Sequence, residues 1–296
     1  MPTPFDPRVN DNPSTYVVQD RKNKKELTRL TIQDQMITAK MGGILAEQSD
    51  PTVFGRVLDV GCGIGSWAIE AAQTYPTMSL VGVDISQCMI EYACTQVEAH
   101  QVSDRVEFRV MDALRPLDLP TASFDLVNIR FAASFLRTWD WPKLLVELLR
   151  LTRPGGVVRV TESVAHLTSN SPALTLLFDM MVCALFRAGH LFIQERTGLI
   201  DHLERLLDQY GCEQVQTKFH AMQYPAGTPE GETYCEDMKL FFQTTRPFIQ
   251  KRGCASKDYD AIYQQALKEM SQPNFHGTWD VLTAWGNKPI SKSQQL

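Results

Sequence analysis

Between Val57 and Ser66 the chain reads Val-Leu-Asp-Val-Gly-Cys-Gly-Ile-Gly-Ser. No other stretch limits the fold so strongly. A short apolar run with one acid near its tip reads as a buried strand, and three alternating glycines then open a helix. Glycine lets the backbone turn sharply and lets a ligand approach where a Cβ would intrude. In an open α/β sheet, the carboxyl end of the first strand is where a nucleotide-like ligand sits.

The rest of the chain keeps the same alternation. LVGVDI (80–85), RVEFRVMDA (105–113), FDLVNIRFA (124–132) and VVRVTE (157–162) read as strands. Helices are predicted near 66–72, after Ser86 as an N-cap, and over 142–152, where Arg153-Pro154-Gly155-Gly156 stops the last of them. Strands alternating with helices imply parallel βαβ units. Further strands are expected at 214–224 and 275–286, and helical segments at 26–46, 171–195, 197–210 and 230–272. Residues 1–15, rich in Pro, Asn and Asp, read as a mobile arm.

Composition narrows the partners. A net charge of −5 over 296 residues opposes a nucleic-acid partner, which needs a positive excess to displace counterions. No apolar run approaches the ~18 residues of a membrane span, and the first residues lack a signal-peptide core, so a cytoplasmic location is expected. The seven cysteines are odd in number and form no CxxC pair. They are expected to be reduced thiols, with neither a disulfide framework nor a zinc site.

Two ligands compete for the glycine turn. Gly63-x-Gly65-x-x-Ala68, with Asp84 downstream, also fits a dinucleotide fingerprint. Asp59 argues against it, because a pyrophosphate would face that carboxylate at close range. A cationic, phosphate-free adenosine compound is favoured there instead. A third acid, Asp112, follows Met111 at the end of the third strand and can accept from an adenine amino group.

In order, DVGCGIG, VGVDIS, MDA, FDLVNIR and LLRLTRPGGVVRVTE resemble the motifs of class I S-adenosylmethionine-dependent methyltransferases. The resemblance is nearest to the group that includes ubiquinone/menaquinone-biosynthesis and small-natural-product methyltransferases. It covers residues 53–165 densely. It implies an α/β, Rossmann-like, seven-stranded, mostly parallel sheet with helices on both faces and a cap of N-terminal and inserted helices. The implied division is a helical lid over 1–50, a cofactor-binding core over 51–165, a helical cap insertion over 166–196 and the rest of the core over 197–296, with a further helical insertion near 230–272.

The resemblance also implies site roles. Asp59 with Gly61, Cys62, Gly63 and Gly65 would hold the methionine part of S-adenosylmethionine. Asp84 would take the ribose hydroxyls. Ile85, with Met89 and Met111 nearby, would flank adenine, and Asp112 and Ala113 would meet its edge. Asn128 to Phe131 would run beside the sulfonium, with the Arg130 carbonyl near the ammonium and its side chain turned away. Tyr16 and Gln33 would close over the cofactor.

Methyl transfer needs alignment and exclusion of water more than a base. If a base acts, the loop after the fifth strand offers Glu162 and His166, the latter titrating nearer neutrality. The apolar side chains of the helical segments suit a small, hydrophobic acceptor, and equally core packing or a homodimer interface. No metal is expected. No N/D-PP-[YF] motif follows the fourth strand, which disfavours exocyclic-amine methylation of that type. The alternatives are an NAD-type oxidoreductase and a non-catalytic S-adenosylmethionine-binding module.

Overall fold

The computed structural model describes residues 15–18 and 24–290. The arm expected over residues 1–15 lies outside these except for its last residue, as do residues 19–23 of the lid segment.

β1 (Arg56–Val60), β2 (Ser79–Asp84), β3 (Val106–Val110), β4 (Phe124–Arg130) and β5 (Thr152–Ser163) form a parallel sheet in the order β3-β2-β1-β4-β5. β8 (His276–Asn287) runs antiparallel beside β5 and pairs on its other edge with β7 (Glu213–Pro225). These are the seven strands expected. An eighth, the two-residue β6 (Thr168–Ser169), pairs with β8 beyond the end of β5. It was not foreseen, because two residues carry no periodicity.

Both faces of the sheet are covered. On β1, Val57 faces one side and Leu58 and Val60 the other. The Val57 side packs on α2 (Ser66–Thr74) and α3 (Gln87–Ala99), through Trp67, Ala68, Ile90 and Ala93. The Leu58 side packs on α4 (Trp141–Leu151) and α6 (Leu203–Gln209). Trp141, Leu144, Leu145, Leu148 and Leu151 make the α4 stripe at helical spacing. Ser86 caps α3 as expected, its Oγ accepting from the Met89 N–H.

A third apolar cluster joins α1 (Lys24–Met41), α5 (Pro172–Arg187), α7 (Pro229–Thr244), α8 (Arg246–Lys251) and α9 (Tyr259–Met270) into a cap. Several sequence expectations need correction here. The helix expected over 171–195 stops at Arg187, because Gly189 takes a positive φ of 84°. The segment 230–272 is three helices, and Pro247 in the first turn of α8 marks one break. Cys183 and Cys254, 71 residues apart, are disulfide-bonded, whereas all seven cysteines were expected to be reduced. They lie on different cap elements, and only the tertiary fold brings them together.

Candidate active site

A cavity of about 500 Å³ opens where the carboxyl ends of β1, β2 and β4 meet the cap. Asp59 sits at the tip of β1, almost fully buried on its wall. Strand register places Asp59 beside Asn128 on β4, and Asn128 beside Arg159 on β5. The three side chains form one buried row. Asn128 Nδ2 donates to Asp59 Oδ1 at 2.8 Å, and Arg159 Nη1 donates to Asn128 Oδ1 at 2.7 Å. Arg159 Nε in turn donates to Glu47 Oε1 at 2.7 Å. Burial pushes the Asp59 carboxyl up to about 7, against the opposing pull of Arg130 and the Asn128 hydrogen bond.

Asn128 is therefore behind the wall rather than on it. Arg159 and Glu47, absent from the sequence-derived set, complete the row. Arg159 was visible only as a charge within a strand read as buried, and Glu47, in the polar run Glu47-Gln48-Ser49-Asp50, gave no signal.

The glycine turn runs beneath Asp84. Gly61, Gly63 and Gly65 all take positive φ. The Gly63 N–H donates to Asp84 Oδ2 at 3.0 Å and the Ser86 N–H to Oδ1 at 2.8 Å, so the carboxylate is oriented by the turn and the next helix start. A Cβ on Gly63 would meet no heavy atom within 4 Å beyond its neighbours, which leaves that backbone approachable from the cavity. Gly65 differs. It is not on the cavity wall, and a Cβ there would lie 2.4 Å from Phe108 Cζ. Its glycine serves helix-on-strand packing, which corrects its expected place at the ligand.

Cys62, Ile85, Met89, Met111, Asp112 and Ala113 line the same side. Asp112 Oδ1 accepts from the Leu114 N–H at 2.9 Å. Ile85, 37% exposed, is a large apolar side chain left facing open space.

The lid crosses the mouth. Tyr16, Gln33 and Arg130 line the cavity, and the Val17 N–H donates to the Ser134 carbonyl at 2.9 Å. Arg130 turns its guanidinium to Asp34 and Thr38 on α1. Tyr16 Oη donates to Glu26 Oε1 at 2.8 Å; Arg29 holds Glu26 at 2.8 Å and reaches Asp237 of α7 at 3.5 Å. Buried charges of opposite sign thus clasp lid to cap.

On the far side the wall is apolar, with Phe131, Phe178, Met181, Leu185, Phe241 and Trp279. Glu162 interrupts it. Its Oε1 accepts from the Ala133 N–H at 3.1 Å, and it forms no ion pair among the described residues. Burial pushes its carboxyl up to about 8. His166 does not join it. The imidazole is absent from the wall and lies 3.1 Å from Asp179, which corrects its place as the leading base candidate. Residues 162–165 and 167 line the cavity, while the His166 imidazole packs beside Phe178 and reaches Asp179 instead.

Three carboxylates, an approachable glycine turn and an apolar slot suit a cationic adenosine compound better than a diphosphate. Residues 57–156 match the model of a family described as a methyltransferase domain. The N-methyltransferase gliN of Aspergillus fumigatus is 26% identical over 299 residues, covering 94% of this chain and 98% of its own. Demethylmenaquinone methyltransferase of Deinococcus radiodurans is 40% identical over 101 residues, 34% of this chain and 40% of its own. The chain spans between 26% and 41% of the length of the first curated relatives it matches. A phosphoethanolamine N-methyltransferase from Haemonchus contortus, solved with S-adenosyl-L-methionine, shares the fold with a TM-score of 0.51 at 23% identity, over 85% of this chain and 52% of its own.

Proposed function

We infer, from the class I S-adenosylmethionine-dependent methyltransferase domain that this chain carries over residues 57–156, that the protein methylates a small, largely apolar acceptor at oxygen, carbon or nitrogen. The observation that carries the reading is the set of three carboxylates, Asp59, Asp84 and Asp112, on one cavity wall with the glycine turn between them. S-adenosylmethionine supplies a methyl group on a positively charged sulfur, open to direct displacement by the acceptor.

The residues then divide the work. Asp59 balances the positive charge of the methionine end, and Gly61 and Gly63 offer backbone where no side chain intrudes. Asp84 accepts from the ribose hydroxyls, Ile85 and Met111 cover adenine, and Asp112 accepts from its amino group. Arg130, tied to Asp34, keeps its charge away from the sulfonium. Tyr16 and Gln33 cover the site and exclude water, which strengthens every electrostatic contact inside. Glu162 is the titratable group among the apolar side chains of the acceptor wall. Near pH 7 its neutral carboxyl orients the acceptor by a hydrogen bond, and above about 8 its carboxylate accepts the acceptor's proton. A cytoplasmic location and a homodimer belong to the same proposal. Among the described residues, no helix is long and apolar enough to cross a membrane.

Calorimetric titration tests the reading. S-adenosylhomocysteine should bind in a one-to-one complex while NADH shows no heat of binding. Binding of NADH, or none by S-adenosylhomocysteine, would overturn it.

A further inference from the structure

We propose that the acceptor end of this cavity carries an anion-binding site at Arg137, with Arg252 adding positive charge from outside the lining, so that the acceptor bears a carboxylate or phosphate on an apolar body. The inference deepens the methyltransferase reading and rests on it for the word acceptor.

Arg137 lines the cavity. Its guanidinium lies 5.4 Å over the Trp139 ring, and its buried Nε has no hydrogen-bond partner. Arg252 does not line the cavity; it lies 5.6 Å from the Phe248 ring, also with a buried, unpartnered Nε. His190 is fully buried and stacks edge-on to Phe248 at 6.0 Å. One of its nitrogens bonds the Ala133 carbonyl at 2.7 Å, and Nε2 has no partner. Burial pushes this imidazole down to about 4, and the nearby cations Arg137 and Arg252 push the same way.

Three elements meet here and are tied. The Thr138 N–H donates to the Gly189 carbonyl at 2.8 Å, joining the loop after β4 to the end of α5. Arg187 donates to the carbonyls of Arg252 and Gly253, at 3.1 Å each, and the Cys183–Cys254 disulfide joins α5 to the segment after α8. The arrangement is therefore built rather than incidental to a loose surface.

What is missing is a counter-charge. Arg29, Arg130, Arg150, Arg153, Arg159, Arg196 and Arg246 each pair with an aspartate or glutamate. Arg137 and Arg252 pair with none among the described residues; nor do Arg56, Arg187 and Arg205, but Arg187 and Arg205 donate to carbonyl or imidazole acceptors and Arg56 lies over the Phe124 ring. The acid beside Arg137, Asp140, also lines the cavity, and its Oδ2 accepts from the Arg137 backbone N–H at 3.3 Å rather than from the guanidinium. Both cations act on the same buried imidazole, and partly buried guanidinium groups without acceptors are costly. In a protein of net charge −5, such a pair without its own carboxylate suits an acceptor-borne one. The planar fork of arginine matches both carboxylate and phosphate oxygens.

The test uses the full chain saturated with S-adenosylhomocysteine and three probes of one shape: 3-phenylpropanoate, phenyl phosphate and the neutral 3-phenylpropanamide. At least one anion should bind tenfold or more tightly than the amide, and the stronger of the two identifies the head group. Arg137→Gln should erase most of that preference and Arg252→Gln should weaken it, with the affinity for S-adenosylhomocysteine unchanged in both. An amide that binds as tightly as both anions overturns the proposal, as does an anion preference that survives Arg137→Gln. The wild-type contrast stands even if a variant fails to fold. Should S-adenosylhomocysteine not bind at all, the methyltransferase reading falls, while the same contrast measured without it still decides the arginine site.

Discussion

Asp59 shows how neighbours set the chemistry of one carboxyl. Its Oδ1 is committed to Asn128, whose amide cannot flip because Arg159 occupies its Oδ1. The other oxygen is left for a ligand cation. Since burial raises this carboxyl to about 7, a cation selects its ionised form. Affinity for S-adenosylhomocysteine, titrated from pH 5.5 to 8.5, should rise by about tenfold per unit below 7 and level off above it. Arg159→Met frees the Asn128 amide and should weaken binding and move that inflection upward. A loss of affinity with an unmoved inflection would mean that Arg159 only supports the fold. At Asp84, replacement by Ala should weaken the same ligand by at least about tenfold, near 1.4 kcal/mol. Glu162 bears on stability. Its folded pKa of about 8 lies above the ordinary carboxylate value, so the folded state holds the extra proton. That contribution is whole below about pH 4 and is lost as pH rises through 8. Thermal melts of Glu162→Gln should fall less between pH 5 and 8.5 than those of the wild type; parallel curves would refute this.

At the scale of elements, the β1–turn–α2 unit and the lid clasp depend on different physics. Gly65 must be glycine for packing, because its φ is 76° and Phe108 fills the space a Cβ would need. Gly65→Ala should destabilise the fold by about 2 kcal/mol or more in urea unfolding, through strain and steric overlap together. The lid clasp is electrostatic. Arg29 neutralises Glu26 and reaches Asp237, whose carboxyl burial pushes up to about 7 despite that arginine. Arg29→Met leaves two buried acids facing each other and should cost about 3 kcal/mol or more, measured by the same unfolding. A near-neutral result would show the clasp to be replaceable by packing.

Across the whole molecule, the sheet with its flanking helices and the cap have separate apolar clusters, and the cavity lies where they meet. The Cys183–Cys254 link lies wholly within the cap side. Closing a loop of 71 residues restricts the unfolded chain by about 4 kcal/mol in the loop-entropy picture. Reduction should therefore lower the melting temperature, and Cys183→Ala should reproduce the shift. If the oxidised and reduced proteins melt together, the link contributes nothing.

The strands, the glycine turn and the three acids were legible in the residues alone, because they depend on local patterns: buried runs, turn chemistry and a carboxylate at each strand end. Asp59, Asp84 and Asp112 stand together on the wall, and Ile85 and Met111, which the resemblance implied, line it with them. What lay out of reach was everything decided by contact across the chain. Strand register, not spacing, aligned Asn128 with Arg159 and moved it behind the wall. The path of one loop put Glu162 on the wall and left His166 beside Asp179, off it. The meeting of cap helices joined two distant cysteines and gathered unpaired arginines. A linear sequence carries propensity and periodicity, but the environment that sets a group's charge, partners and exposure exists only once residues tens to hundreds of positions apart are in contact.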